Sequence, residues 1–278
     1  MNHARSKQLG AAPVAAFPRR IAINFGRWFH VLARAPRTRL TGPSAWIIAT
    51  MVVLGAASVA AMFFVDITAS AWARHLPPWF RDIFEWITNF GLSGWFLYPL
   101  GFVLFYLAAV LSPALPPFTQ GVLAALAARC GFLFLAIALP GLFSTIVKRL
   151  IGRARPFVGG HDDPFLYAPF IWQPAYASMP SGHATTAAAA AVAIGAVWPG
   201  ARLVMWLYAL LIMFSRVVVV AHHPSDVIAG AAVGVIGALI VGRYFAARGL
   251  VFSARDWRPY PGPSWRRLKA AARQIAGD

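Results

Sequence analysis

Carboxylates are scarce in this chain of 278 residues, which has eight Asp and Glu against 25 Lys and Arg, and charged side chains of both signs make up only 12%. Soluble domains keep roughly a quarter of their residues charged, so a soluble globule is excluded. The single cysteine, Cys130, lies in an apolar run and excludes an intramolecular disulfide. No aromatic-basic recognition motif accompanies the net charge of +17, which argues against a nucleic-acid partner. What the chain has in excess is apolar side chains: 59% of residues, with a mean hydropathy of +0.64. That composition is the mark of an integral membrane protein.

Six stretches match the roughly 20 residues that cross a hydrocarbon core. They lie near Ala45 to Val65, Gly94 to Leu111, Cys130 to Val147, His183 to Trp198, Leu203 to Val220 and Val227 to Phe245. The expected fold is all-α, a polytopic bundle of six transmembrane helices. The first span follows a polar, basic arm and lacks a convincing small-residue cleavage site, so it reads as a retained anchor. Eight of the 25 Lys and Arg precede Ser44, from Arg5 to Arg39, and eight follow Val241, from Arg243 to Arg273. Positive charge stays inside, so both termini are expected in the cytoplasm, touching anionic lipid headgroups. Three parts follow: a basic arm over 1–43, a membrane domain over 44–246 and a basic tail over 247–278. Within the arm, Ile21 to Arg34 mixes aromatics with basic residues as an interfacial helix does. Trp72 to Phe90, dense in Trp and Phe, reads as an outer interfacial segment.

The small residues of Ala184 to Ala196 and Gly230 to Gly234 predict close helix packing rather than chemistry. Three polar clusters remain: KRLIGRARP (Lys148 to Pro156), PSGH (Pro180 to His183) and SRVVVVAHHPSD (Ser215 to Asp226). The alternation of spans puts all three on the outer side. Lys148, Arg155 and Arg216 have no nearby carboxylate in sequence except Asp226, so the three cations repel one another unless an anion sits among them. Phosphate fits, with arginine offering bidentate donors and lysine a point charge. Ser181 and Gly182 precede a helix start, whose free amides add anion-binding donors; Ser181 also suits a plain N-cap. His222 and Asp226 lie four apart. If helical geometry reaches back to His222, the carboxylate orients the imidazole and leaves one nitrogen free to attack phosphorus. His183 is placed to act as acid and base. A competing reading gathers His183, His222, His223 and Asp226 around a metal, against which the three cations argue. His223 has no assigned role beyond capping.

Lys148, six residues, then Arg155 and Pro156; Pro180, Ser181, Gly182 and His183; and Ser215, Arg216, five residues, His222, three residues and Asp226 together resemble the tripartite signature of the type 2 phosphatidic acid phosphatase (PAP2) superfamily. The resemblance implies a six-helix membrane phosphatase working at the outer leaflet without metal or other cofactor. By position, His222 would be the nucleophile, Asp226 its partner and His183 the acid-base residue. Lys148, Arg155, Ser181, Gly182 and Arg216 would hold the phosphate. In a bacterium the outer side is the periplasmic face of the inner membrane, and the partner is a membrane lipid phosphate or pyrophosphate. Phosphatidylglycerophosphate, undecaprenyl pyrophosphate, phosphatidic acid and lipid A 1-phosphate are not separated by these motifs, and oligomeric state is unmarked. The aromatic loop Phe157 to Tyr176 is expected to shape the substrate's entrance. A phosphotransferase using the same histidine, or a non-catalytic binder or transporter of anionic lipid, are the alternatives.

Overall fold

The computed structural model describes residues 16–38, 45–253 and 258–276. Arg5, Lys7, Arg39 and Arg255 of the basic tails lie outside the described residues, as does the 43/44 boundary. Ten α-helices are described: α1 (Ala16–Ala33), α2 (Ala45–Phe64), α3 (Asp66–Arg74), α4 (Pro78–Thr88), α5 (Gly94–Val110), α6 (Pro117–Ile151), α7 (Gly182–Val197), α8 (Arg202–Val218), α9 (Pro224–Ala247) and α10 (Trp265–Ala276). Among the described residues there is no strand, only two isolated bridges.

Five segments are long and apolar enough to cross a membrane: α2, the run Pro78–Val110 that joins α4 to α5 through a short turn, α6, Pro199–Val218 ending in α8, and α9. Their outward faces are apolar and bare, with Phe64, Tyr98 and Phe102 at 81%, 81% and 73% exposure, as suits a surface meant for lipid. The remaining expected span is α7. Its 16 residues rise about 24 Å, short of a core of about 30 Å. It is the central helix, packed by α6, α8 and α9, with Ala184, Ala187, Ala188, Ala189, Ala190 and Ala193 wholly buried.

The expected third span begins near Cys130, after a connection over 112–129. Helix α6 starts at Pro117 and runs 35 residues. Pro117 sits at its first position, where a missing N–H is harmless, and no further proline stands between it and Cys130 in an Ala- and Leu-rich stretch that favours helix. The connection is thus far shorter than expected.

Two glycines of α9 allow a close approach to α7. A Cβ on Gly230 would lie 2.4 Å from the Ser181 carbonyl oxygen, and one on Gly234 2.3 Å from that of Thr185. Backbone therefore touches backbone between α7 and α9, the packing that small residues allow. Gly234→Ala should lower stability by about 1–3 kcal/mol, as forced overpacking does. Gly131→Ala on α6, with nothing within 4 Å of the new methyl, should not; thermal unfolding in detergent measures both.

The basic arms meet one end of the bundle. On α1, Asn24 donates to the carbonyls of Ala108 and Leu111, both at 2.8 Å, at the C-terminal end of α5. Leu32 accepts from Tyr244 and from Arg248, both at 2.7 Å, where α9 ends. Helix α10 lays Ala271 inward and Gln274 against Thr119 near the start of α6, leaving Arg266, Arg267, Lys269 and Arg273 exposed. Val251 and Phe252 after α9 are buried, Phe252 meeting Phe132 edge-on at 4.9 Å.

Candidate functional site

Helices α6 and α8 run one way and α7 and α9 the other, so Lys148, Gly182, Arg216 and Asp226 meet at the end opposite the basic arms. Convergence is direct: the Ser181 N–H donates to the Asp226 carbonyl at 3.0 Å. A Cβ on Gly182 would stand 3.2 Å from Lys148 Nζ. All eight residues singled out in the sequence are brought to this end.

Each is placed by its element. Lys148 occupies the last turn of α6, which closes at Gly152 with φ +63°. Only glycine serves there, because a Cβ would lie 1.9 Å from the Ala168 carbonyl oxygen. The turn swings Arg153 inward and carries Arg155 to the site. Ser181 precedes the first turn of α7, yet its side chain caps nothing. Its Oγ is buried without a partner, as are the Nε atoms of Arg155 and Arg216. Unpaired buried donors are expensive, and these three belong to residues that meet at this end of the bundle. Arg216 keeps one hydrogen bond, from Nη1 to Thr88 Oγ1 of α4 at 2.6 Å. His183, whose electrostatic neighbours are Arg216, His222, Lys148 and Arg155, packs its ring on Gly91, where a Cβ would lie 2.9 Å from Cδ2.

His222 does not begin the last helix. Pro224 holds the first position of α9, and the residue before a proline is pushed to extended geometry; His223 accordingly has φ −71° and ψ 153°. The Nδ1 of His222 lies 3.8 Å from Asp226 Oδ2, beyond a hydrogen bond, and 3.3 Å from Ser178 Oγ. The serine in turn donates to Asp226 Oδ2 at 2.6 Å. Burial, reinforced by the positive charges of Arg216 and Arg155, outweighs Asp226 and lowers the imidazole pKa to about 4. The ring is neutral at physiological pH, the form with a lone pair to give.

Four residues of the site escaped the sequence reading: Asp66, Arg153, Ser178 and Ser225. Arg153 is wholly buried and donates from Nε to the Pro164 carbonyl at 2.9 Å, from Nη1 to Ser225 Oγ at 2.6 Å and to Asp226 Oδ1 at 2.5 Å, and from Nη2 to Asp66 Oδ2 at 2.8 Å. Asp66 also accepts the Ser225 N–H at 3.0 Å. A detectable signal existed: Asp66 is one of only eight acids, set directly after an uncharged 20-residue helix. His223, left without a role, bonds Asp162 at 2.9 Å, and its N–H donates to Asp226 Oδ2 at 2.9 Å. It ties the loop after α6 to the helix start. Those two carboxylates raise its pKa against the effect of burial.

Among the described residues no three His, Cys, Asp or Glu side chains gather closely enough to hold an ion, so the metal set considered above is not assembled. Beside His183 a cavity of about 400 Å³ opens between α5, α6 and α7, lined by Leu92, Leu97, Ile137, Leu142 and Thr186 among others. None of its lining comes from the loop over 157–176, expected to shape the entrance. The loop instead packs on the buried network behind His222, through Pro164 on Arg153 and Asp162 on His223, with Arg149 over the Trp172 ring and Arg74 over that of Phe157.

Three cations, two histidines and unpaired buried donors thus meet at one end of an apolar helical bundle, next to a cavity. The chain belongs to the PAP2 superfamily, whose family model matches residues 129–250. It is 33% identical over 211 residues to a lipid A 1-phosphatase of Rhizobium johnstonii, covering 76% of this chain and 85% of that protein. It is 36% identical over 98 residues, 35% of this chain and 51% of the other, to a decaprenylphosphoryl-5-phosphoribose phosphatase of Mycobacterium tuberculosis. A solved PAP2-type phosphatidylglycerolphosphate phosphatase from Bacillus subtilis matches with a TM-score of 0.42 at 19% identity, over 80% of this chain and 94% of that one. The chain is accordingly a membrane PAP2 phosphatase, a hydrolase of phosphate monoesters.

Proposed function

We propose that the chain dephosphorylates a lipid phosphate or pyrophosphate at the periplasmic face of a bacterial inner membrane, through a phosphohistidine on His222 and without a metal. One observation carries the mechanism: a neutral, buried His222 stands beside Arg155 and Arg216, whose Nε atoms lack partners, with the free Ser181 hydroxyl at the same end. Nε2 of His222 forms the N–P bond as the bond from phosphorus to the leaving oxygen breaks. His183 protonates that oxygen, then takes a proton from the water that releases phosphate. Lys148, Arg155, Arg216 and the amide end of α7 at Ser181 and Gly182 hold the nonbridging oxygens, where charge develops. Asp226 offsets the charge on the phosphorylated ring.

In this reading α7 completes six membrane-crossing helices in a domain over 44–246, lined internally by its neighbours. The arm over 1–43 and tail over 247–278 stay cytoplasmic, their exposed arginines against anionic headgroups. Contact of α1 and α10 with the bundle end remote from the site supports that sidedness. The cavity beside His183 suits an acyl or prenyl chain entering from the bilayer.

Lipid A 1-phosphate ranks first among the substrates, because the Rhizobium relative is matched over most of its length. Phosphatidylglycerophosphate, undecaprenyl pyrophosphate and phosphatidic acid follow. Purified protein in detergent with EDTA should release inorganic phosphate from at least one of these four, fastest from lipid A 1-phosphate. No release from any of them, or activity that EDTA abolishes, overturns the proposal. A phosphotransferase would instead move labelled phosphate into a second lipid.

A further inference from the structure

We infer that Ser178 is a positioning residue for His222: its hydroxyl accepts the Nδ1–H of the imidazole and donates to Oδ2 of Asp226. The inference rests on the reading of His222 as nucleophile. Nothing in the three signature clusters includes Ser178, which lies two residues before PSGH. It is wholly buried, and its backbone N–H is pinned to the Arg153 carbonyl at 3.1 Å.

Direction follows from the inventory of donors. An ionised carboxylate only accepts, and Asp226 receives Arg153 Nη1 on Oδ1, and the His223 N–H and Ser178 O–H on Oδ2. The serine has one proton, and it is committed to the 2.6 Å contact. Only a lone pair of Oγ is left to face His222 Nδ1 at 3.3 Å, so that nitrogen carries the hydrogen. The contact is long, as catalytic hydrogen bonds in a free enzyme often are. Direct contact between ring and carboxylate, at 3.8 Å, cannot supply the same constraint. Nε2 is therefore the nitrogen with the lone pair. When it forms the N–P bond and the leaving oxygen departs with a proton from His183, Nδ1 keeps its hydrogen. The positive charge on the ring is then shared with Asp226 through the serine.

Removing the hydroxyl frees the ring to rotate and change tautomer while leaving the phosphate cradle in place. Ser178→Ala should therefore lower kcat by about 10- to 100-fold, the scale on which metal-binding histidines lose function when their outer hydrogen-bond partner is removed, with KM within about twofold. Ser178→Thr, which restores a hydroxyl, should recover most of kcat. Both are measured as phosphate release from the substrate identified above, beside His222→Ala and with melting temperature recorded for each. Wild-type kcat in Ser178→Ala overturns the inference. So does a Thr variant as slow as the Ala variant, or an Ala variant that unfolds or loses KM and kcat together, since each assigns Ser178 a merely structural part. Wild-type turnover in His222→Ala sinks the nucleophile reading itself, whereas an inactive His222→Ala beside a fully active Ser178→Ala removes only the serine.

Discussion

His222→Ala releases phosphate at least about a thousandfold more slowly than the wild type, the scale on which a covalent nucleophile is lost, while its melting temperature stays near the wild-type value. The second half of that expectation is as informative as the first. His222 makes no hydrogen bond that another residue depends on: its N–H joins that of Ala221 at the Arg216 carbonyl, and its ring meets only Ser178 and, more distantly, Asp226. The backbone N–H survives the substitution, so the chain reversal after α8 is kept. A pH profile separates lost chemistry from lost charge. With the imidazole pKa lowered to about 4, the ring is uncharged above that value and becomes cationic below it. In the wild type the acid limb of kcat/KM that His222 sets should therefore lie near pH 4. Were the ordinary histidine pKa of roughly 6.5 in force, the acid limb would begin more than two units higher. Because kcat/KM reports the free enzyme, a limb near 6.5 would overturn the lowered pKa of His222. Phosphate label that stays on the wild type after denaturation in alkali, where a phosphoramidate survives, and that acid then releases, identifies the covalent species if it is absent from His222→Ala.

How much of this was legible in the residues depends on what each position answers to. The eight converging positions, Asp226 among them, were readable because an apolar chain exposes every exception: a charge or imidazole beside a 20-residue apolar run is conspicuous. Helix polarity then brought them together, since the C-terminal ends of α6 and α8 and the N-terminal starts of α7 and α9 must share a side if spans alternate. Close packing of α7 on α9 was likewise visible in Gly230 and Gly234. The start of α6 was not, because the hydropathy of a span marks where lipid begins and not where the helix begins; an amphipathic extension with Arg129 buried and bonded to the Tyr260 carbonyl at 2.7 Å carries no span signal. The position of His222 outside α9 was decidable from Pro224, whose effect on the preceding residue is local, but a four-residue spacing suggested a helical pairing instead. Ser178 and Arg153 were hidden for another reason. A serine in a loop and a third arginine in an arginine-rich segment are ordinary until tertiary contacts show that neither meets water.

Arg153→Met is the substitution expected to damage folding most. The guanidinium lies between Asp66, at the start of α3, and Asp226, in the first turn of α9, and all three side chains are fully buried. Its fork geometry uses Nη1 for Asp226 and Ser225, Nη2 for Asp66 and Nε for the Pro164 carbonyl, so one side chain ties the end of the first span, the last span and the loop after α6. Methionine fills similar volume but leaves two carboxylates facing each other without a countercharge. Breaking a buried pair by removing one partner costs about 3–5 kcal/mol, a large share of the stability of an ordinary domain. Little folded Arg153→Met protein should be recovered, and what is recovered should melt well below the wild type. Arg153→Lys should fall between the two, since an ammonium supplies the charge but cannot fork across both acids. The sharper measurement is a cycle with Asp66→Asn. If the loss comes from stranded charge, the double variant is less destabilised than the sum of the singles by about 1–3 kcal/mol. Additive losses would mean that Arg153 contributes packing alone. The same cycle read as activity divides the network's two duties: Asp66→Asn leaves the Arg153 bond to Asp226 in place, so folded protein carrying it should retain most of its kcat, whereas any folded Arg153→Met protein loses the group that fixes Oδ1 of Asp226 and should turn over slowly.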